Sequence, residues 1–327
     1  MHPAIGDVGT GFNTGTLVRL HKKVSSLEAS HGLRSQTEAI FAGRNVIEIT
    51  NPDKVLFPND GITKRELVEY YHRIAPAMLP HMRGRPVAME RYPDGINGEG
   101  FFQKTVPAYY PDWIKTATLP KRDGVVRYVV CDNAASLVYL ANQAVITPHT
   151  WLSRADKPNH PDQMIFDLDP SDGDFSAVGR AAKGLRQLLR NKGLAAFVKT
   201  TGSRGLHVLV PLNRRADFDE VRAFAREVAA ALAKSDPERL TTDVRKSRRG
   251  GRIFLDTARN AYGQTAVPPY AVRARPGAPV AAPLNWNELD QPGLAPGLFD
   301  IRSIFDRLHR NGDSWKNLNR HAQTLPR

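Results

Sequence analysis

The sequence predicts a mixed α/β (α+β) fold, in which a catalytic sheet backed by helices packs against an N-terminal α/β module. Two observations carry this. After residue 163, strand-like and helix-like stretches follow in the order strand, helix, strand–turn–strand, helix, strand. Before it, the alternating strand Asn45–Thr50 and a helix opening at Thr63 already form a smaller α/β segment.

Taken in order, residues 1–43 carry scattered Gly, Ser, Thr and basic residues with weak periodicity and read as a mobile arm, with one helical turn near Ser26–His31. Asn51–Pro58 is rich in turn formers. Thr63 is a good N-cap, and Glu66 completes a capping box. The helix it opens runs through Leu67, Tyr71, Ile74 and Met78 and closes over Pro80–Pro86. A strand at Val87–Arg91, a turn-rich loop and the run Phe101–Lys104 come next, then strand Val125–Cys131, helix Asn133–Ala144 and a connection through Thr147-Pro148-His149. In the second half, Phe175–Lys192 is an amphipathic helix stopped by Gly193, Ala196–Thr200 and His207–Pro211 are strands around a Gly-rich turn, and Phe218–Ala233 is a helix. Thr241–Gly251 is a basic loop before strand Ile253–Asp256; a Pro-rich segment from Pro268 ends in a helix near Ile301–His309. The expected division is 44–160 for the N-terminal module, 161–315 for the core and 316–327 for a tail.

Composition narrows the function. Among 327 residues, 46 Lys and Arg face 33 Asp and Glu, a formal +13 that favours polyanionic partners, above all nucleic acid. No apolar run is long enough to span a bilayer and the N-terminus lacks a secretory apolar core, so a cytoplasmic, non-membrane protein is expected. The single cysteine, Cys131, permits neither an internal disulfide nor a Cys-x-x-Cys zinc site.

Against this basic background stands Ile165-Phe166-Asp167-Leu168-Asp169-Pro170. In a strand, Asp167 and Asp169 share one face while Phe166 and Leu168 share the other. Two such carboxylates repel unless a cation lies between them, and hard divalent ions take such oxygens. Alone, the pair reads equally as a strand end running into an acidic turn. The Gly202-Ser203-Arg204-Gly205 turn, with His207 beyond it, lets backbone amides approach an anion closely. Asp256 closes a third apolar strand. A D-x-D glycosyltransferase would leave the +13 without a purpose.

The Asp-x-Asp, the Ser/Gly turn ending in histidine and the strand-terminal Asp together resemble the three motifs of archaeo-eukaryotic primase–polymerases. The match is closer still. Asn51-Pro-Asp-Lys54-Val-Leu-Phe-Pro, Gly100-Phe101-Phe102-Gln-Lys104, Phe166-Asp-Leu-Asp-Pro, Thr201-Gly-Ser-Arg-Gly-Leu-His207 and Pro269-Tyr-Ala-Val-Arg273 look like the polymerase domain of the bacterial end-joining ligase LigD. The resemblance covers roughly residues 45–315, and no ligase nucleotidyl-lysine motif or phosphoesterase segment is visible.

This resemblance implies an RRM-like sheet backed by helices and a DNA-directed nucleotidyltransferase that fills gaps or extends ends in break repair with rNTPs or dNTPs. Asp167, Asp169 and Asp256 would hold two divalent cations, Mn²⁺ preferred over Mg²⁺. Ser203, Arg204 and His207 would take the triphosphate and Thr201 the sugar 2′ position. Lys246, Arg249, Arg273 and Arg275, with Arg252, would neutralise phosphates. Asn51, Lys54 and Lys64 match a pocket for the 5′-phosphate across a gap, and Phe101, Phe102 and His149 the template side. Two departures stand out: Glu90, where relatives usually carry a basic residue, and Gln264, where a lysine would be expected. Implied partners are gapped or broken duplex DNA bearing a 5′-phosphate, an ATP-dependent DNA ligase acting in trans and a Ku-type end-binding protein, with a location on the bacterial nucleoid. Priming without a primer, and a non-catalytic end-binding scaffold that recruits a ligase, are the competing readings.

Overall fold

The computed structural model describes residues 37–171 and 174–326. The first described element is β1 (Thr37–Ala42), which pairs antiparallel with β2 (Asn45–Thr50). The stretch expected to be an arm therefore ends in a strand, while Ser26–His31 lies outside the described residues. A small hairpin of β3 (Val55–Phe57) and β4 (Ile62–Thr63) leads into α1 (Lys64–Met82). The capping box forms as expected: Thr63 N donates to Glu66 Oε2 at 2.9 Å, and Glu66 N to Thr63 Oγ1. The helix continues through Pro76 and Pro80 and ends at Met82, within the stretch expected to close it.

The first sheet is built from β5 (Pro86–Arg91), β6 (Phe101–Gln103), β7 (Thr116–Lys121) and β8 (Gly124–Val130), followed by α2 (Ala134–Asn142) and β9 (Val145–Trp151). β9 contains Thr147-Pro148-His149, read above as a connection; pairing with β5, Met89 opposite Pro148, makes it a strand. The helices α1 and α2 pack together, and Leu67, Tyr71, Met78, Leu137 and Leu140 share a core with Val87, Met89 and Val129 of the sheet.

The second sheet begins with β10 (Gln163–Asp169) and continues through α3 (Phe175–Asn191), β11 (Phe197–Thr200), β12 (Leu206–Pro211), α4 (Phe218–Ser235), β13 (Leu240–Thr241) and β14 (Ile253–Asp256). Next in the chain, β15 (Thr265–Ala266) pairs with β9 in the first sheet, β16 (Pro283–Leu284) edges the second, and α5 (Ile304–Asn311) follows. The strand order is β13-β14-β10-β12-β11-β16. Even-numbered side chains of β10 and β12 (Met164, Phe166, Leu168, Val208, Val210) share a core with the apolar faces of α3 and α4. The odd-numbered ones face the other way, where Ile165 and Leu209 pack with Leu152, Ala266 and Trp315.

The division at 160/161 does not follow the cores. Residues 270–272 and 278–282, beyond the catalytic strands in sequence, are buried in the core of α1, α2 and the first sheet. Tyr70 Oη donates to Tyr270 O at 2.7 Å, and Tyr71 Oη accepts from Val272 N at 3.1 Å. Nor is 316–327 a free tail: Leu318 is buried, and Gln323 Oε1 accepts from Ala195 N at 2.8 Å. Among the described residues, no helix is long and apolar enough to cross a membrane.

Candidate active site

The odd face of β10 carries the site. Register places Asp167 opposite His207 of β12 on one side and Asp256 of β14 on the other. β11 extends this row, setting Lys199 opposite His207. Directly opposed residues of antiparallel strands point to the same face, so Lys199, His207, Asp167 and Asp256 form one polar row across four strands. Asp169 shares the face two residues on, opposite Phe254. The expected same-face placement of Asp167 and Asp169 holds, and the structure adds Lys199, which sequence reasoning missed.

Three contacts set the electrostatics. His207 Nε2 lies 3.4 Å from Asp167 Oδ1, and Arg259 Nε lies 3.9 Å from Oδ2. Asp256 Oδ1 accepts from Ala258 N at 2.7 Å, so one of its oxygens also caps the following turn. Burial would raise the Asp167 carboxyl, but His207, Arg259 and Lys199 outweigh it and hold it below the usual range. Asp169 is pushed up to about 6 by burial and by Asp167. Burial and Lys199 lower His207 to about 4; burial and Arg273 lower Lys199 to about 7.

Asn260 was also missed, and it fixes β10 from outside the ladder. Fully buried, its Oδ1 accepts from Ile165 N at 2.9 Å and its Nδ2 donates to Ile165 O at 2.7 Å. The side-chain amide thus stands in for a strand partner just before the Asp167–Asp256 pairing begins.

The turn between β11 and β12 is held from both sides. A Cβ on Gly205 would meet Leu168 O at 2.0 Å, so only glycine lets the turn lie against the end of β10. Gly202 has φ +64, and a Cβ there would meet Arg273 Cγ at 2.8 Å. Arg273 Nη1 donates to Thr201 O at 2.9 Å. The Thr201 hydroxyl donates to Gly205 O at 3.1 Å and accepts from Ser203 N and Gly205 N at 3.3 and 3.2 Å. Its proton and both lone pairs are engaged inside the turn, so Thr201 builds the turn and has no group left for a sugar hydroxyl.

Ser203, Arg204, His207, Arg273 and His149 line one cleft with Asp167 and Asp169, together with Thr265–Val267 and Arg259. Its volume is about 160 Å³, smaller than the roughly 300–1,000 Å³ of pockets that enclose a drug-sized ligand. The remaining basic candidates separate. Arg249 stacks on the Phe254 ring at 3.8 Å and acts on the Asp169 charge. Lys246 and Arg275 are exposed and stand outside the cleft lining. Arg252 donates to the carbonyls of Arg249 and Arg248, which makes it a brace for the basic loop.

Asn51, Lys54 and Lys64 meet at a second place. Lys54 N donates to Asn51 O, and Lys64 N to Lys54 O at 2.8 Å, which fastens the Asn51 turn (φ 49) onto the start of α1. Lys64 Nζ donates to Thr50 O at 2.6 Å, and burial together with nearby Lys54 lowers it to about 8. Lys54 is half-exposed and pairs with Asp94 at 2.8 Å. Both lysines thus stand at the start of α1, away from the cleft lining.

Phe101 and Phe102 are 44% and 58% exposed on β6. Phe102 packs edge-on against His149 at 5.1 Å, and His149 Nε2 lies 2.9 Å from Glu90 Oε2. Burial favours a protonated Glu90, but the hydrogen bond with His149 outweighs it and keeps the carboxyl below its usual range. Glu90, the departure from a basic residue, is therefore the partner of a cleft histidine, and His149 joins the aromatic strand to the cleft.

The acidic face suits divalent cations by its chemistry. Asp167 Oδ1 is buried without a hydrogen bond, and the like charges around Asp169 lift its carboxyl, an arrangement that a cation among these oxygens relieves. Among the described residues, no three or more His, Cys, Asp and Glu are already gathered into a metal cage.

Comparison with known proteins places this geometry. Residues 63–315 match the family model described as LigD, primase-polymerase domain. The multifunctional non-homologous end joining DNA repair protein LigD of Mycobacterium tuberculosis is 34% identical over 295 residues, covering 88% of this chain and 39% of that protein. The bifunctional LigD of Bacillus subtilis is 32% identical over 282 residues, covering 86% of this chain and 45% of that one. The chain thus spans less than half the length of these relatives. Among solved structures, the polymerase domain of Mycobacterium tuberculosis ligase D in complex with DNA superposes with a TM-score of 0.80 at 34% identity, over 84% of this chain and 99% of that one.

Proposed function

Because this chain belongs to the LigD primase-polymerase family, we propose that it is a DNA-directed nucleotidyltransferase that fills short gaps or extends ends during break repair. The observation that carries the reading is the register pairing of Asp256, Asp167 and His207 beneath the Gly202–Gly205 turn. It brings the carboxylates proposed as metal ligands onto one face of a sheet. The turn proposed to take the triphosphate packs against the end of β10, which supports the reading.

In this reading Asp167, Asp169 and Asp256 would hold the divalent cations, Mn²⁺ or Mg²⁺. When bound, such ions activate the primer 3′-hydroxyl and stabilise the leaving pyrophosphate. The Ser203 hydroxyl, with Arg204 and Arg273, binds the triphosphate of an rNTP or dNTP. His207 and Arg259 keep Asp167 ionised and oriented. Lys54 and Lys64 hold the 5′-phosphate of the downstream strand, which favours gap filling over unprimed synthesis, since a primase has no downstream end to hold. Joining the filled product requires a ligase, and delivery to ends an end-binding protein of the Ku type.

Primer extension on a gapped duplex with Mn²⁺ tests the proposal. Extension should rise when the downstream strand carries a 5′-phosphate, and Lys54→Ala should remove that gain. No incorporation by the wild type, or unchanged activity in Asp167→Ala, would sink it and leave the scaffold reading.

A further inference from the structure

The exposed aromatic surface does not stop at Phe101 and Phe102. Of the five large aromatic side chains that stand exposed among the described residues, four lie within one short stretch: Phe101, Phe102, Tyr109 and Trp113. They are joined by contacts. The Arg91 guanidinium lies 5.6 Å from the centre of the Phe101 ring and donates to Tyr109 Oη at 3.3 Å. Tyr109 packs edge-on to Tyr110 at 5.3 Å, Tyr110 to Tyr139 at 5.0 Å, and Tyr139 to Trp113 at 5.8 Å. Tyr110, 6% exposed, forms the floor under Tyr109, and Tyr139 links it to Trp113. Solvating this much aromatic area costs free energy that a monomer ordinarily avoids by burial, so a patch of this kind marks a binding surface.

We infer that Tyr109 and Trp113, with Arg91, extend the stacking platform of Phe101 and Phe102 into a track for several unpaired nucleotides of the template strand. The inference rests on the polymerase reading above. Base faces stack on aromatic rings whatever the sequence, and an arginine between rings adds a cation for the backbone or a base plane. Continuity selects this occupant. The patch begins at Phe102, which touches His149, and His149 lines the catalytic cleft, so a strand leaving the cleft past Phe102 meets Phe101, Arg91 and Tyr109 next. Tyrosine, tryptophan and arginine also favour protein interfaces, and the experiment separates the two.

Duplexes with a blunt end or with one, two, four or six unpaired template nucleotides are titrated against the protein at fixed salt, without nucleotide. Wild-type affinity should keep rising beyond the length that Phe101 and Phe102 can hold, by about fivefold or more per further stacked base. Tyr109→Ala, at a position 61% exposed, should flatten the rise at the longer overhangs and leave blunt-end affinity unchanged. Trp113→Ala should act in the same way, Trp113→Phe should restore the rise, and thermal melts confirm that each variant is folded. If Tyr109→Ala keeps the full length dependence, or loses the same factor on blunt and overhanging DNA, the track does not exist and a protein-docking surface takes its place. Extension of a one-nucleotide gap is measured in parallel. A wild type that cannot extend it defeats the polymerase reading, whereas one that extends it but shows no length dependence defeats the track alone.

Discussion

Asp167 and His207 face each other across β10 and β12, with Nε2 3.4 Å from Oδ1 in a site where both side chains are almost fully buried. Removing the imidazole takes from a buried carboxylate its nearest polar neighbour. His207→Ala should cost about 1–3 kcal/mol of stability and at least tenfold in primer extension. His207→Gln, which keeps an N–H, should recover stability more than activity. Because burial lowers His207 to about 4, its protonation should contribute no step to the pH–rate profile between 5 and 8. Thermal melts and a pH series of extension rates check both points.

The Asp169 carboxyl, pushed up to about 6, sets a stability trend opposite to that of an ordinary paired aspartate. Its folded form holds a proton that the unfolded chain has already released, so this group favours folding below about pH 4 and loses that contribution as pH rises through 6. Screened by solvent, the effect should be about 1 kcal/mol in the cation-free protein. Asp169→Asn should raise the melting temperature at pH 7 more than at pH 4, and abolish extension. Added Mn²⁺ should stabilise the wild type more at pH 7 than at pH 5, because ligands must lose their protons to bind.

Lys64, lowered to about 8, predicts a second pH dependence. The ammonium is charged at pH 7 and is lost as pH rises through 8, so the gain from a downstream 5′-phosphate should shrink between pH 7 and 9. Lys64→Arg should keep the gain at pH 9 if the guanidinium reaches the same position, and Lys64→Met should remove it at every pH. Extension of phosphorylated and unphosphorylated gaps, compared as a ratio, measures this.

Gly205 decides whether the turn can seat at all. With Leu168 O only 2.0 Å from where a β-carbon would stand, Gly205→Ala must displace the turn or the end of β10. A loss of about 3 kcal/mol and of nearly all triphosphate affinity is expected. Gly193→Ala is the control: its φ of +77 carries strain, but nothing lies within 4 Å, so activity should survive. Chemical denaturation and nucleotide binding distinguish the two.

Much of this was legible in the chain, for local reasons. Strand alternation alone put Asp167 and Asp169 on one face, turn chemistry marked the glycines at 202 and 205, and the Thr63–Glu66 capping box marked the start of α1. The charge surplus pointed to a phosphate-rich partner. What remained hidden depends on neighbours distant in sequence. Asn260 supports Ile165 from 95 residues away, Lys199 joins the row only through the β11–β12 register, and Arg259 reaches Asp167 from beyond β14. Pro148 masked β9, because a proline reads as a breaker until a partner strand is present to hold it extended. The Thr201 hydroxyl looked available until the turn closed around it. The sequence by itself determined which chemical groups this protein has and which local elements carry them. Register and packing alone decided which of those groups meet and which are engaged in holding the fold, since hydrogen-bond capacity and charge compensation depend on distances that the order of residues does not contain.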